Sequence, residues 1–260
     1  MAWLRVETRG AVRWVTIDRP DRKNAIPSPD GWPILAAAFE DFEESDDRVL
    51  VVTGAGGEFC AGADLDPERF GDGDSVADGH RRMKVVARAA TALHRTTKPT
   101  IAAVDGVAVG AGMNLALGCD VVIATERARF SEIFVRRGLS LDFGGTWLLP
   151  RIVGLQRAKE LALSGRIVGA AEAVRLGIAL EAVPVDRLEA RVAELAQSFL
   201  AGAPIGQMFA KQGLDASFET SFADALAWEG QSQAIAFRTE DLAEGIEAFA
   251  DKRDPEWKGR

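Results

Sequence analysis

Apolar positions along this chain switch repeatedly between a period of two and a period near 3.6. Val12-Arg13-Trp14-Val15-Thr16-Ile17 mixes alternation with β-branched residues and predicts a strand. Asp18–Pro29 predicts a loop, with Pro20, Pro27, Pro29 and Asn24 along it. Trp32–Phe42 places Ile34, Leu35, Ala38, Phe39 and Phe42 on one helical stripe, with Ser28 or Asp30 available as caps. Arg48–Thr53 carries the unbroken run Val49-Leu50-Val51-Val52, the pattern of a strand covered on both faces. Gly71–Gly79 predicts a loop and His80–Thr97 a helix that Pro99 ends. A strand over Thr100–Val104, a glycine loop, a helix through Gly118 and a strand over Val121–Ala124 follow. Strand, loop and helix recurring with short connections predict an α/β fold with helices packed on parallel strands. Beyond residue 155 the pattern turns mostly helical, over Asp186–Leu200, Ser217–Phe237 and Asp241–Phe249. The organisation expected is an α/β core over 1–190 and a helical module over 191–260.

Composition narrows the chemistry. An apolar fraction of 47% and a length of 260 residues suit a globular chain that needs no disulfides for its core. No window is apolar and long enough to cross a bilayer, and no secretory h-region opens the sequence. The two cysteines, Cys60 and Cys119, sit among small apolar residues, which predicts buried thiols and a cytoplasmic location. A net charge of −8 argues against nucleic acid as a partner. His80 and His94 are the only histidines, both expected on a solvated face, so a histidine triad or multi-histidine metal site is not expected. Asp72-x-Asp74 begins like a calcium loop but lacks the later ligands and glycine, and predicts a solvated turn.

The most informative segments are two glycine-studded stretches. Gly54-Ala55-Gly56-Gly57-Glu58-Phe59-Cys60-Ala61-Gly62-Ala63-Asp64-Leu65 follows one apolar run, and Val104-Asp105-Gly106-Val107-Ala108-Val109-Gly110-Ala111-Gly112-Met113-Asn114 follows another. Such loops leave backbone N–H groups free at helix starts, and two together can hold one oxyanion. A dinucleotide fingerprint is absent: Phe59 and Leu115 stand where its third glycine belongs.

Six blocks in order resemble the enoyl-CoA hydratase/isomerase (crotonase) family. They are Arg19–Ile26, Phe59–Leu65, Ala102–Gly112, Gly144–Arg151, Leu163–Arg166 and Lys252–Trp257. The resemblance implies a crotonase-like spiral of ββα units with a helical C-terminal trimerisation module, assembled as a homotrimer or homohexamer. It implies an acyl-CoA thioester as substrate, coenzyme A entering with it, and neither metal nor redox cofactor. It places the oxyanion donors at the amides of Ala63 and Ala111, the latter replacing the middle glycine of the family's block. CoA and substrate contacts fall by the same resemblance on Arg22, Lys23, Ala25, Ala61, Asp64 and Leu65. Trp257 and Lys258 join them from the C-terminus. Acyl specificity is expected around Phe70–Val86.

The carboxylates choose the reaction. Hydratases of the family use two glutamates. Asn114 stands at the first of these positions, and an amide is no general base. Anchoring on Gly138 puts Phe134 at the second, so both are missing in that register; a two-residue shift recruits Glu132 instead. The alternative reading of Glu132 is a solvated or ion-paired residue beside Arg136 and Arg137. The same register puts Asp142 where some 3,2-enoyl-CoA isomerases carry their single acid, its alternative being a helix cap. The expectation is therefore double-bond isomerisation through Asp142. The rivals are a hydratase using Glu132 or a water held by Asn114 and Asp142, and a non-catalytic acyl-CoA-binding protein.

Overall fold

The computed structural model describes residues 3–65 and 75–260. Residues 71–74 of the expected loop, Asp72 and Asp74 among them, and Phe70 of the expected acyl region lie outside the described residues. The described residues form two compact units, one within 3–65, 75–96 and 100–193, the other of 97–99 and 194–260.

The first unit starts with a hairpin, β1 (Leu4–Arg9) and β2 (Val12–Ile17), turned at Gly10 with φ 64°. β1 carries no buried stripe, because it is an edge strand with its side chains mostly in solvent, so hydrophobic periodicity does not reveal it. α1 (Gly31–Glu43) buries Trp32, Leu35, Phe39 and Phe42. Asp30 stands at its N-cap without a side-chain bond, while Ser28 Oγ accepts from the Trp32 indole N–H at 3.4 Å, so neither expected cap forms. β3 (Val49–Gly54) is buried through Val49–Val52, as its unbroken apolar run demands. α2 (Val76–His94) begins ahead of His80, inside the expected loop. Ser75 Oγ accepts from the Asp78 N–H (3.2 Å) and the Asp78 carboxylate from the Ser75 N–H (3.0 Å), a reciprocal cap that fixes the start.

Two strands and a helix then recur. β4 (Thr100–Val104) turns at Asp105-Gly106 into β5 (Val107–Val109), which feeds α3 (Ala111–Leu117). β6 (Val121–Thr125) turns into β7 (Arg129–Ser131), followed by a 3-10 turn over Ile133–Arg137. α4 (Gly145–Val153), α5 (Leu155–Ser164), β8 (Val168–Gly169), α6 (Ala170–Leu176) and β9 (Glu181–Val183) complete the unit. The main sheet runs β1-β2-β3-β4-β6-β9, parallel except for β1. A second sheet, β5-β7-β8, takes the second strand of each turn. Alternation between the two sheets makes a spiral of ββα units.

α7 (Leu188–Leu200) runs on into residues of the second unit, which also holds α8 (Pro204–Asp215), α9 (Phe222–Ala236) and α10 (Glu240–Asp251). The sequence pattern passes over α8, and it starts α9 at Ser217. Ser221 Oγ accepts from the Asp224 N–H at 3.1 Å and starts that helix at Phe222 instead. No helix of the described residues is long and apolar enough to cross a membrane.

What joins the two glycine stretches is backbone contact. Cys60 pairs with Ala108 as in a parallel sheet, its N–H donating to Val107 O (2.8 Å) and its carbonyl accepting from the Val109 N–H (3.1 Å). A Cβ on Gly112 would lie 2.1 Å from Cys60 O, so nothing larger than glycine fits. Gly112→Ala is expected to destabilise the chain by about 1–3 kcal/mol. Urea unfolding measures it, and a midpoint equal to wild type would remove this contact from the fold's requirements.

Candidate active site

Three further ties surround that seam. The Asn24 carboxamide, itself buried, accepts from the Arg19 N–H (2.8 Å) and donates to Ala55 O (2.8 Å). Arg19 reaches the carbonyl of Ala25 (2.7 Å) and the carboxylate of Asp64 (2.9 Å). Glu58 accepts from the Val107 N–H at 2.6 Å. Arg19–Ile26 is thus stapled to the first glycine loop, and that loop to the second. Arg19 and Asn24 stand in the Arg19–Ile26 block but carry no site role by sequence pattern. The signal available was a buried-type Asn inside a charged loop.

The seam fixes two amides. Ile26 donates to Gly62 O (2.8 Å) and accepts from the Asp64 N–H (2.9 Å), a parallel pairing that turns the N–H of Ala63 away from Ile26. Ala111 is the first residue of α3, where a helix leaves its N–H without an intrahelical acceptor. Gly110 before it adopts φ 57° and ψ −130°, a conformation open essentially to glycine alone. A Cβ on Gly62 would lie 3.3 Å from the nitrogen of Ala111. The two loops therefore approach to backbone contact beside these amides, and neither amide donates to a described residue.

α3 carries Asn114 one turn further on, fully buried. Its Nδ2–H donates to the carbonyl of Asp142 (2.9 Å) and faces Glu132 Oε2 at 3.4 Å. A Cβ on Gly145 would lie 2.4 Å from that nitrogen, so the amide rests on the backbone at the start of α4. Three acceptor atoms here have no partner among the described residues: Asn114 Oδ1, Glu132 Oε1 and Asp142 Oδ1. Burial, opposed by the Asn114 hydrogen bond and reinforced by the charge of Asp142, pushes the Glu132 carboxyl up to about 8. Burial pushes Asp142 up to about 6. Near neutrality the pair divides into a protonated acid and an ionised base.

The position of Glu132 corrects its reading as a solvated or ion-paired residue. The register that put Phe134 in place of a second glutamate leaves the site without one, yet Glu132 itself is only 1% exposed and sits beside Asn114. Glu132 is neither solvated nor paired with the arginines: Arg136 donates to Ser164 O (2.9 Å), and both arginine side chains lie at the surface. Glu132 follows buried Ser131 at the end of β7 and stands at the N-cap of the 3-10 turn; Phe134 within the turn is buried as well, its ring 3.7 Å from where a Cβ on Gly110 would lie. Asp142 is no helix cap either. Its carbonyl, not its carboxylate, accepts from the Gly145 N–H at 3.0 Å, and α4 has no side-chain cap. His80 is exposed, while His94 is half-buried and packs edge-on against Trp147 at 4.9 Å.

The remaining named residues divide by place. Arg22 and Lys23 are exposed on the loop before Asn24, with Lys23 Nζ 3.8 Å from Glu58. Ala25 is buried, Ala61 donates to Lys23 O (3.0 Å), and Leu65 is exposed. The carboxylate of Asp64 is held by Arg19. Trp257 and Lys258 belong to the second unit. There the Trp257 indole donates to Ala201 O (2.8 Å) and the Lys258 ammonium pairs with Glu240 (3.2 Å). Both cysteines are free and buried, and burial pushes the Cys60 thiol up to about 12. Among the described residues no group of three or more His, Cys, Asp or Glu is arranged to hold a metal ion.

The family model described as enoyl-CoA hydratase/isomerase matches residues 7–260. A probable enoyl-CoA hydratase of Rhodobacter capsulatus is 37% identical, the match covering 99% of this chain and 98% of that one. The 1,2-epoxyphenylacetyl-CoA isomerase of Escherichia coli is 34% identical over the whole of both chains. The crystal structure of an enoyl-CoA hydratase/isomerase from Cupriavidus metallidurans superposes with a TM-score of 0.90 at 38% identity, over 100% of this chain and 97% of that one.

The raised acid of Glu132 has a thermodynamic consequence. An unfolded glutamate titrates near about 4.3, so between there and about 8 the folded chain binds more protons than the unfolded one. This stability is full at low pH and lost as pH rises through the folded value. Glu132→Gln is therefore expected to gain on wild type at pH 8.5, on the order of 1–4 kcal/mol, and little at pH near about 4. Urea unfolding at both pH values checks it, and a pH-independent difference would contradict the burial of a titrating carboxyl.

Proposed function

Because this chain belongs to the enoyl-CoA hydratase/isomerase family, we propose that this enzyme moves a carbon–carbon double bond in an acyl-CoA thioester through Asp142. One observation carries the reading: Asp142 has a buried carboxyl oxygen without a partner among the described residues, and its backbone carbonyl is tied by Asn114 to the helix that opens at Ala111. In a 3-enoyl thioester the ionised Asp142 takes a proton from C2. The electron pair spreads over C2–C4 and the thioester oxygen, and the amides of Ala63 and Ala111 hold the oxyanion. Each such donor is worth about 2.7–4 kcal/mol. Protonated Asp142 then returns the proton to C4, the double bond comes to rest between C2 and C3, and the carboxylate is regenerated. One group serves both transfers, so the balance closes without a co-reactant.

A second reading has its own support. Glu132 adds a protonated acid to the ionised Asp142, and three buried acceptors without donors suit a bound water. Such a site would hydrate a 2-enoyl thioester, Asp142 activating the water and Glu132 supplying the proton. Incubation with 3-enoyl-CoA and 2-enoyl-CoA separates the two. Isomerisation predicts that Asp142→Ala loses about 10²–10⁴-fold in kcat on the 3-enoyl substrate, as does Ala111→Pro, which deletes a donor, while Ala111→Gly stays active. It also predicts a kcat/KM that rises with pH through about 6. Hydration of the 2-enoyl thioester that survives Asp142→Ala sinks this reading, and a fall through about 8 favours Glu132 as working acid.

CoA is placed by the same proposal on Arg22 and Lys23, with Ala25, Ala61, Asp64 and Leu65 along the acyl and pantetheine path. Trp257 and Lys258 enter only if their present bonds within the second unit open. The assembly proposed is a homotrimer or homohexamer. Its support is the second unit's exposed Phe218, Phe222, Leu226, Phe237 and Phe249, more apolar surface than a lone chain usually shows. Light scattering at micromolar concentration is expected to give three or six times the 27.9 kDa chain mass; a monomeric mass with full activity rejects the assembly.

A further inference from the structure

The residue after Asp142 stands in a conformation its type avoids. Phe143 has φ 49°, and Gly144 follows with φ 83° and ψ 2°. With the Gly145 N–H donating to Asp142 O at 3.0 Å, these two residues are the corners of a type I′ turn. Such corners favour Gly, Asn or Asp, and an aromatic residue enters the left-handed region only where its surroundings over-determine it. The surroundings here are visible. Phe143 is buried, its ring 5.7 Å from that of Trp32 and tilted 42° to it. Trp32 is fully buried in α1, its indole N–H turned to Ser28 Oγ. On the other side of the turn, the carbonyl of Asp142 is gripped by the Asn114 amide. Between these two anchors the chain has one path, and the Asp142 carboxyl leaves from it.

We propose that Phe143, docked on Trp32, is a positioning residue: it holds the strained turn that aims the Asp142 carboxyl and keeps water from it. The inference rests on Asp142 as the working base. Sequence periodicity gives no hint of it, since Asp-Phe-Gly reads as an ordinary loop. The device is a balance between an unfavourable backbone and a favourable ring contact. Removing the ring undocks the turn from Trp32 and opens the carboxyl to water, even where the new side chain suits the left-handed corner.

The test compares three variants of the full chain. Phe143→Asn suits the left-handed corner but has no ring. Trp32→Phe keeps Phe143 and weakens its dock. Phe39→Leu trims another buried aromatic residue of α1 and leaves the turn alone. Phe143→Asn is expected to lower kcat on 3-enoyl-CoA about 10–100-fold, with KM within about twofold of wild type, and Trp32→Phe to lower it less. In the same folded samples, carboxyl carbon NMR is expected to show Asp142 titrating below the wild-type value of about 6 as water reaches it. Phe39→Leu, which loses stability alone, is expected to leave kcat and titration in place. Wild-type kcat and titration in Phe143→Asn overturn the proposal, and so does an equal loss in Phe39→Leu. Failure of the Asp142 reading looks different: Asp142→Asn keeps its turnover, while the titration still reports whether Phe143 holds the turn.

Discussion

Everything in the site hangs on two pieces of backbone that touch without side chains between them. Cys60 joins β5 by sheet hydrogen bonds, and Gly62 and Gly112 lie so close to the opposing chain that a Cβ at either would collide with a carbonyl oxygen. Backbone-to-backbone approach is the one contact that carries amide N–H groups with it. Side-chain packing would hold the loops apart by several ångströms and scatter those donors. Once the seam forms, Ala63 and Ala111 are placed, α3 follows, and Asn114 arrives at a set depth. Glu58, Asn24 and Arg19 then hold the outer loop to the same frame.

Against this frame the protein buries what is costly to bury. One buried oxygen each of Glu132, Asp142 and Asn114 finds no donor among the described residues, and a buried acceptor left so raises the free energy of the fold. The left-handed Phe143 adds on the order of 1–3 kcal/mol of backbone strain. Such features persist only when a large core supports them, and here Trp32, Phe39, Phe42, Phe59 and Phe130 supply it. Cost concentrated at one place marks where structure serves chemistry. The same burial raises both carboxyls above their ordinary range, Glu132 further than Asp142.

The sequence by itself determined the periodic elements and the chemistry on offer. β2, β3, β4 and α1 are written in spacing, because their faces meet a continuous core and each position feels burial or solvent alone; α7 is written in its own amphipathic stripe. The glycine stretches, too, declare that the backbone must come close to something. Only the tertiary structure decided what they meet. It also decided that Glu132 is buried beside Asn114 along with Phe134, which counting from Gly138 cannot tell, because that burial comes from the segments packed around the turn. Edge strand β1 and the start of α2 stayed hidden for a related reason: one is set by pairing, the other by a cap, and neither leaves a hydrophobic period. Asp142 is legible as an acid in a glycine-rich turn. Its direction is not, since that depends on Phe143 reaching Trp32, more than a hundred residues away along the chain. Spacing encodes local geometry. The placement of a buried charge belongs to contacts between segments that only the fold brings together.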